Sequence, residues 1–218
     1  PVRKHHMERE LGCNGKLTRV KGVDGMTADI ESLIGRGGAA GHNMTMEEYR
    51  KATNSKMGEI ALAMSHMNAI KQAYDDGSEV AVIFEDDVST LLVPFWRMSL
   101  DNLVFHANSH YPDWEMIRLQ WSSSTQSHQA WSAFRTRKLP AIALHSHRGL
   151  YHYGFVSYMM HRRGMEHIVR NHLDEDGKFD CKDLEKGFVG CASDYVFPAS
   201  ASMPKLTVPP FFVSSLVE

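Results

Sequence analysis

One stretch of the chain reads Val80-Ala81-Val82-Ile83-Phe84-Glu85-Asp86-Asp87. Its apolar half is short and rich in β-branched residues, which is typical of a strand buried in a parallel or mixed sheet. Its acidic half places three mutually repelling carboxylates at the carboxyl end of that strand, where α/β folds bind ligands. The pattern therefore predicts a functional site at residues 85–87, and the alternative is a solvated acidic turn.

A divalent cation would remove the repulsion between these carboxylates. Mg²⁺ and Mn²⁺ typically combine one or two carboxylates with the phosphates of a substrate. Asp87 is the expected direct ligand, and Glu85 lies two residues earlier, on the same side of the strand. Asp86 is expected to point the other way, toward backbone or a ribose. Such an ion bridges the two phosphates of a nucleotide-sugar and neutralises the departing diphosphate.

Helices and strands alternate on both sides of this strand. The clearest helix is predicted over residues 56–74, where apolar residues recur at helical spacing, and Asp75-Asp76-Gly77 ends it. Further helices are predicted over residues 2–12, 94–106 and 163–172, and further strands over residues 17–20, 114–119, 139–144 and 154–160. This alternation indicates an α/β domain with a mixed, mostly parallel central sheet.

Composition restricts the classes of partner. The chain has 218 residues, 43% of them hydrophobic, and a formal net charge of −2, which indicates a soluble globular domain without general attraction to nucleic acid or an anionic membrane. No apolar run approaches the roughly 20 residues of a transmembrane helix. Cys13, Cys181 and Cys191 are either reduced, as in the cytoplasm, which is favoured, or include one Cys181–Cys191 bridge in an oxidising compartment.

The predicted helix and strand carry a recognisable order of residues. The helix contains Gly58-Glu59-Ile60-Ala61-Leu62-Ala63-Met64-Ser65-His66, and the strand continues as Glu85-Asp86-Asp87-Val88. This order resembles the hallmark of family-25 glycosyltransferases, which include bacterial lipo-oligosaccharide and collagen galactosyltransferases. Segments similar to other parts of that family cover most of the chain and lie at residues 3–11, 19–25, 114–119, 153–165 and 192–194.

The chain departs from the family pattern in two places. Family members begin with a strand that contacts the nucleotide, and the sequence has no counterpart of it before residue 2. A single domain over residues 1–218 is therefore expected to lack its first strand or to be part of a longer chain. In addition, Met159-Met160-His161 replaces the serine of a later family element.

The resemblance implies a GT-A fold, which is a Rossmann-like nucleotide-sugar-binding fold, with Mn²⁺ or Mg²⁺ as the cofactor. It implies inverting transfer of a hexose from a nucleoside-diphosphate sugar, with UDP favoured, to a hydroxyl of a glycan, glycoprotein or lipid-linked saccharide. The residues expected to bind donor or cofactor are Arg3, Gly58, Glu59, Ser65, His66, Glu85 and Asp86, with Asp87 and Glu85 on the metal. The expected catalytic base is a later carboxylate, Asp194 first, followed by Asp180 and Glu115.

Two other functions fit the same residues. A nucleotidyltransferase that makes a nucleotide-sugar uses the same metal and phosphate chemistry, although its usual glycine-rich, Lys/Arg-bearing loop is not seen in this sequence. The other alternative is a non-catalytic carbohydrate-binding relative. The intact Glu85-Asp86-Asp87 argues against that alternative.

Overall fold

A computed structural model describes residues 2–11, 17–35, 45–96, 98–120, 143–144, 155–183, 187–188, 191, 205–207 and 213–214. The chain divides into two compact units. Unit 1 contains Pro1–Thr18, Val80–His161 and Met203–Glu218, and unit 2 contains Arg19–Glu79 and Arg162–Ser202. None of the described helices combines the length and hydropathy that crossing a lipid bilayer requires.

The elements follow one another in a mixed α/β order. The helices are α1 Val2–Leu11, α2 Ile30–Leu33, α3 Met46–Thr53, α4 Met57–Asp75, α5 Leu100–His110 and α6 Arg162–His172. The strands are β1 Val80–Phe84, β2 Val88–Ser89, β3 Met116–Arg118, β4 Ala143–Leu144, β5 Ser157–His161, β6 Lys182–Asp183, β7 Gly187–Phe188, β8 Lys205–Thr207 and β9 Val213–Ser214. The predicted α/β class is therefore confirmed.

A mixed five-stranded sheet in the order β1-β5-β3-β8-β4 forms the centre of unit 1. β5 runs antiparallel to both β1 and β3, β3 is parallel to β8, and β4 is antiparallel to β8. The prediction of a mostly parallel sheet is thus wrong for the described strands, where only the β3–β8 pair is parallel. The apolar run in β1 indicated burial, but burial carries no information about the direction of the neighbouring strand, and here β5 returns between β1 and β3.

One apolar cluster packs against the sheet of unit 1. Its fully buried members include Trp114, Ile117 and Leu206, and the partly buried Val82 and Phe84 of β1 pack on it. Alternate residues of β1 thus face this core, as the side-chain period of a strand requires. The packing fixes β1 up to the residue that precedes the acidic triplet, Glu85-Asp86-Asp87.

Unit 2 contains the predicted long helix, and its ends follow from local chemistry. At its start, the Glu59 carboxylate accepts a hydrogen bond of 2.7 Å from the Lys56 N–H, which the helix itself leaves without an acceptor. At its end, Gly77 adopts a φ of 77°, a left-handed conformation that favours glycine. α4 packs against α6 in the same unit, and β6 and β7 form an antiparallel hairpin.

Two local predictions were wrong. Residues 17–20 form no strand in the described part of the chain, and Leu17 is 52% exposed. The helix expected over 94–106 begins only at Leu100, because Val93–Phe95 forms a separate 3₁₀ turn and Ser99 caps α5 through its hydroxyl.

Candidate functional site

The acidic triplet forms a tight turn between β1 and β2. The Glu85 N–H donates to the Val156 carbonyl oxygen at 2.8 Å, and the Val88 N–H donates back to the Glu85 carbonyl oxygen at 3.3 Å. Asp87 is buried with 9% of its surface exposed, Glu85 is half-buried, and Asp86 is exposed. The three carboxylates therefore have different surroundings although they are adjacent in sequence.

The carboxyl ends of β1 and β3 lie at the same edge of the sheet, because both strands run antiparallel to β5, which lies between them. Val156 joins the two ends. Its carbonyl oxygen accepts from Glu85, and its N–H donates to the Gln120 Oε1 at 3.4 Å. This edge consequently brings the triplet together with the residues that end β3.

A buried arginine lies at this edge. Arg118 is 3% exposed and is paired in register with Tyr158, which is also the partner of Ile83. Since side chains alternate along a strand, Arg118 and Glu85, two residues after Ile83, project from the same face of the sheet. A guanidinium is always charged, and its planar donors match a carboxylate or a phosphate.

Aromatic rings hold Arg118 in place. Its guanidinium carbon lies 5.7 Å from the centre of the Phe155 ring, and Phe155 stacks on Tyr158 with ring centres 4.0 Å apart. Burial raises the pKa of the Tyr158 hydroxyl well above its usual value, and the charge of Glu85 raises it further. Tyr158 therefore remains a neutral hydroxyl beside the triplet. Sequence reasoning missed this group, although an arginine inside the apolar strand at residues 114–119 was a signal for it.

The triplet suits a metal ion that takes only two of its ligands from the protein. Among the described residues, no group of three or more His, Cys, Asp or Glu side chains is placed to hold an ion. Glu85 and Asp87 instead offer two hard carboxylates, which is the number that Mg²⁺ or Mn²⁺ commonly takes when substrate phosphates and water supply the remaining ligands.

The predicted donor-binding residues of α4 belong to unit 2. Gly58 is exposed, and a Cβ there would meet no described atom within 4 Å, so the helix start is open to a ligand. Glu59 caps the helix, as described above. Ser65 accepts from the Val23 N–H at 2.8 Å and donates to the Ala61 carbonyl oxygen at 2.8 Å, and His66 is buried. Ser65 therefore anchors the segment around Val23 to α4.

We expect Ser65→Ala to lower the free energy of unfolding by about 1–2 kcal/mol, since the partly buried Val23 N–H loses its acceptor. Urea denaturation measures the change. Ser109→Ala is the matched control, because the Ser109 hydroxyl donates only within α5, to the Phe105 carbonyl oxygen. Equal losses in the two variants would show that Ser65 has no special anchoring role.

Asp180, a candidate base, lies in a buried cluster of unit 2. Its Oδ1 accepts from the Tyr49 hydroxyl at 3.0 Å, and that hydroxyl accepts from the Cys181 N–H at 2.7 Å. Burial, followed by the charge of Asp180, raises the Tyr49 pKa. Cys181 is bonded to Cys191, so the bridge that the sequence allowed is present. Asp180 is thus occupied by a structural contact, which the sequence did not reveal.

The remaining candidates are placed less favourably or fall outside the described residues. Glu115 precedes β3, and its carbonyl oxygen accepts from the His161 N–H at the end of β5, so it lies at the sheet edge opposite the triplet. The structure therefore does not support Glu115 as a base across the donor, because strand direction separates it from the triplet. Arg3 lies in α1, but its side chain is outside the described part, as is all of Asp194.

Comparison with models of known protein families gives a match. The family model described as glycosyltransferase family 25 (LPS biosynthesis protein) matches residues 1–171. No curated protein matches the chain. The matched span includes α4, the acidic triplet and Arg118, whereas Asp180 and Asp194 lie beyond it.

Proposed function

Because the chain belongs to glycosyltransferase family 25, we propose that it transfers a hexose from a nucleoside-diphosphate sugar, with UDP favoured, to a hydroxyl group. The acceptor is a glycan, a glycoprotein or a lipid-linked saccharide. The observation that carries this proposal is the position of Glu85 and Asp87 at one sheet edge with the buried Arg118. Carboxylates and a guanidinium at one edge of a sheet are suited to a metal-bound diphosphate.

In the proposed reaction, the acceptor oxygen attacks the anomeric carbon while the bond from that carbon to the diphosphate breaks. The acceptor proton passes to a carboxylate, and the diphosphate leaves with the electron pair, so the anomeric configuration inverts. Mn²⁺ or Mg²⁺, held by Asp87 and Glu85, would neutralise the charge on the departing diphosphate. A GT-A arrangement is part of the proposal, supported by family membership and by carboxylates at the end of β1.

Asp194 remains the proposed base. The Tyr49 contact occupies Asp180, and Glu115 lies at the wrong edge of its sheet. Asp194 follows Cys191 by three residues, and the disulfide ties Cys191 to the residue after Asp180. The bridge also supports an oxidising compartment as the place of action, in contrast to the cytoplasm favoured from composition.

Incubation with Mn²⁺ and a panel of nucleoside-diphosphate sugars tests the proposal. We expect release of nucleoside diphosphate, accelerated by an acceptor saccharide. Asp194→Asn is expected to slow acceptor-dependent release at least about a hundredfold while donor binding persists, because general-base catalysis is lost. Asp180→Asn is the comparison variant, since its amide oxygen can still accept from Tyr49.

Different outcomes separate the alternatives. Formation of a nucleotide-sugar with release of pyrophosphate would favour a nucleotidyltransferase. Binding of the donor without turnover under all conditions would favour a non-catalytic relative. Loss of transfer in Asp180→Asn but not in Asp194→Asn would move the base assignment to Asp180.

A further inference from the structure

Arg118 carries a positive charge that is enclosed in unit 1. Only 3% of its surface is exposed, and its guanidinium lies over the Phe155 ring. A guanidinium does not lose its proton in a protein, so the charge remains although water is largely excluded. A charge in such a place acts on neighbouring charges more strongly than a solvated one does, because water and salt screen it less.

Glu85 lies on the same face of the sheet as Arg118. In the register of the sheet, Tyr158 of β5 lies between Arg118 of β3 and Ile83 of β1, and Glu85 follows Ile83 by two residues. Glu85 is half-buried, and its charge raises the pKa of the Tyr158 hydroxyl. Tyr158 stays neutral and contributes no charge of its own. Arg118 is therefore a positive charge beside a carboxylate that is proposed to bind the metal.

Backbone hydrogen bonds fix the position of β3 relative to the triplet. The Glu85 N–H donates to the Val156 carbonyl oxygen at 2.8 Å, and the Leu119 N–H donates to that of Ser157 at 3.1 Å. Leu119, the residue after Arg118, is fully buried in the core cluster of unit 1. The charges of Arg118 and Glu85 are thus held on neighbouring parts of one rigid sheet.

This arrangement affects how a cation binds at the triplet. Glu85 and Asp87 offer two negative charges, of which Arg118 offsets one. Asp86 is exposed, so its charge is screened by water and salt. A divalent cation held by Glu85 and Asp87 alone would leave a positive charge without compensation, which is costly where water is excluded. The phosphates of a nucleoside diphosphate supply negative charge together with the oxygen ligands that Mg²⁺ and Mn²⁺ prefer.

We propose that Arg118 makes metal binding at the triplet depend on the diphosphate of the donor. Free Mn²⁺ then binds weakly, and Mn²⁺ binds tightly only together with a nucleoside diphosphate. Arg118 acts through the charge of Glu85 and Asp87 rather than on the reacting atoms, which is consistent with its burial. The identity of the diphosphate rests on the proposed function, but the effect of Arg118 on the metal is measured without any reaction.

Mn²⁺ binding to the 218-residue chain, followed by electron paramagnetic resonance of the free ion, tests the proposal. Without nucleotide, Arg118→Met is expected to bind Mn²⁺ at least about tenfold more tightly than the wild type, because an opposing charge is removed. UDP is expected to tighten Mn²⁺ binding at least about tenfold in the wild type and less in Arg118→Met. Arg118→Lys keeps the charge and is expected to resemble the wild type. A merely structural role predicts the opposite for Arg118→Met, since a damaged site binds metal more weakly.

Arg162→Met is the matched control. The Arg162 guanidinium carbon also lies over an aromatic ring, 4.5 Å from the centre of the Tyr74 ring, but both residues belong to unit 2. Its replacement is expected to leave the Mn²⁺ affinity unchanged. Arg118→Gln, which keeps side-chain hydrogen-bond donors, takes the place of Arg118→Met if that variant does not fold.

Unchanged or weaker nucleotide-free Mn²⁺ binding in the folded neutral variant of Arg118 would overturn the proposal, as would equal tightening in Arg162→Met. A wild type that binds UDP but holds Mn²⁺ equally well with and without it would also overturn the proposal. If UDP does not bind while the neutral variant binds Mn²⁺ more tightly, the donor of the proposed function is wrong and the role of Arg118 stands. Inorganic pyrophosphate then supplies the diphosphate in the same measurement.

Discussion

Asp87→Ala is expected to abolish metal-dependent donor binding and to slow sugar transfer at least about a hundredfold. Asp87 is 9% exposed at the end of β1, and the core packing of Val82 and Phe84 fixes the strand that positions it. Loss of one of two carboxylate ligands removes charge stabilisation of several kcal/mol from a departing diphosphate. Each 1.36 kcal/mol is about tenfold in rate, so a hundredfold loss is a conservative expectation.

Titration with Mn²⁺ in the presence of donor, together with nucleoside diphosphate release, measures this effect. Asp87→Asn keeps the shape of the side chain and separates loss of charge from loss of packing. Asp113→Ala removes an exposed carboxylate of the same unit and is expected to be neutral. Asp86→Ala should cost less than Asp87→Ala, because Asp86 is exposed. Unchanged metal-dependent binding in Asp87→Ala would falsify the site assignment.

The second large effect concerns stability. Replacing both Cys181 and Cys191 with alanine is expected to lower the free energy of unfolding by about 2–3 kcal/mol, because the bridge closes a loop with a sequence separation of 10. Both cysteines are fully buried. Their N–H groups donate to the hydroxyls of Tyr49 and Ser55, each at 2.7 Å. The loop ends are thus held twice, by the bridge and by these two hydroxyls, so the variant is expected to fold.

Thermal unfolding with and without a reducing agent checks this expectation. The reductant should destabilise the wild type by about as much as the double substitution does, and it should have no further effect on the double variant. Cys13→Ala is the control, since Cys13 is not a member of the bridged pair. A wild type that is equally stable in both conditions would show that the bridge does not contribute.

How well the sequence predicted local structure depended on how close together in the chain the interacting residues are. The ends of α4 are set by residues a few positions apart, so the sequence located them. The 3₁₀ turn at Val93–Phe95 was missed, because a proline fits both the first turn of a helix and an isolated turn. Local chemistry was therefore sufficient wherever the interacting residues are close in the chain.

The same dependence on sequence distance applies to the functional residues. The triplet was found because an apolar run and three adjacent acids are visible within eight residues. Arg118 was not recognised, because its significance depends on pairing with Tyr158, forty residues later in the chain. The burial of Asp180 was equally hidden, since its partner Tyr49 is separated from it by 131 residues.

Sequence alone was thus enough to identify the family, the acidic triplet, the long helix that precedes it and the two cysteines able to pair. Tertiary structure was needed for the direction of β5, the grouping of Arg118 with Glu85, the position of Glu115 at the opposite edge of the sheet and the burial of Asp180. The physical reason is the range of the interactions. Helix periods, caps and strand patterns arise between near neighbours, whereas strand direction, burial and the meeting of charges depend on contacts between distant segments.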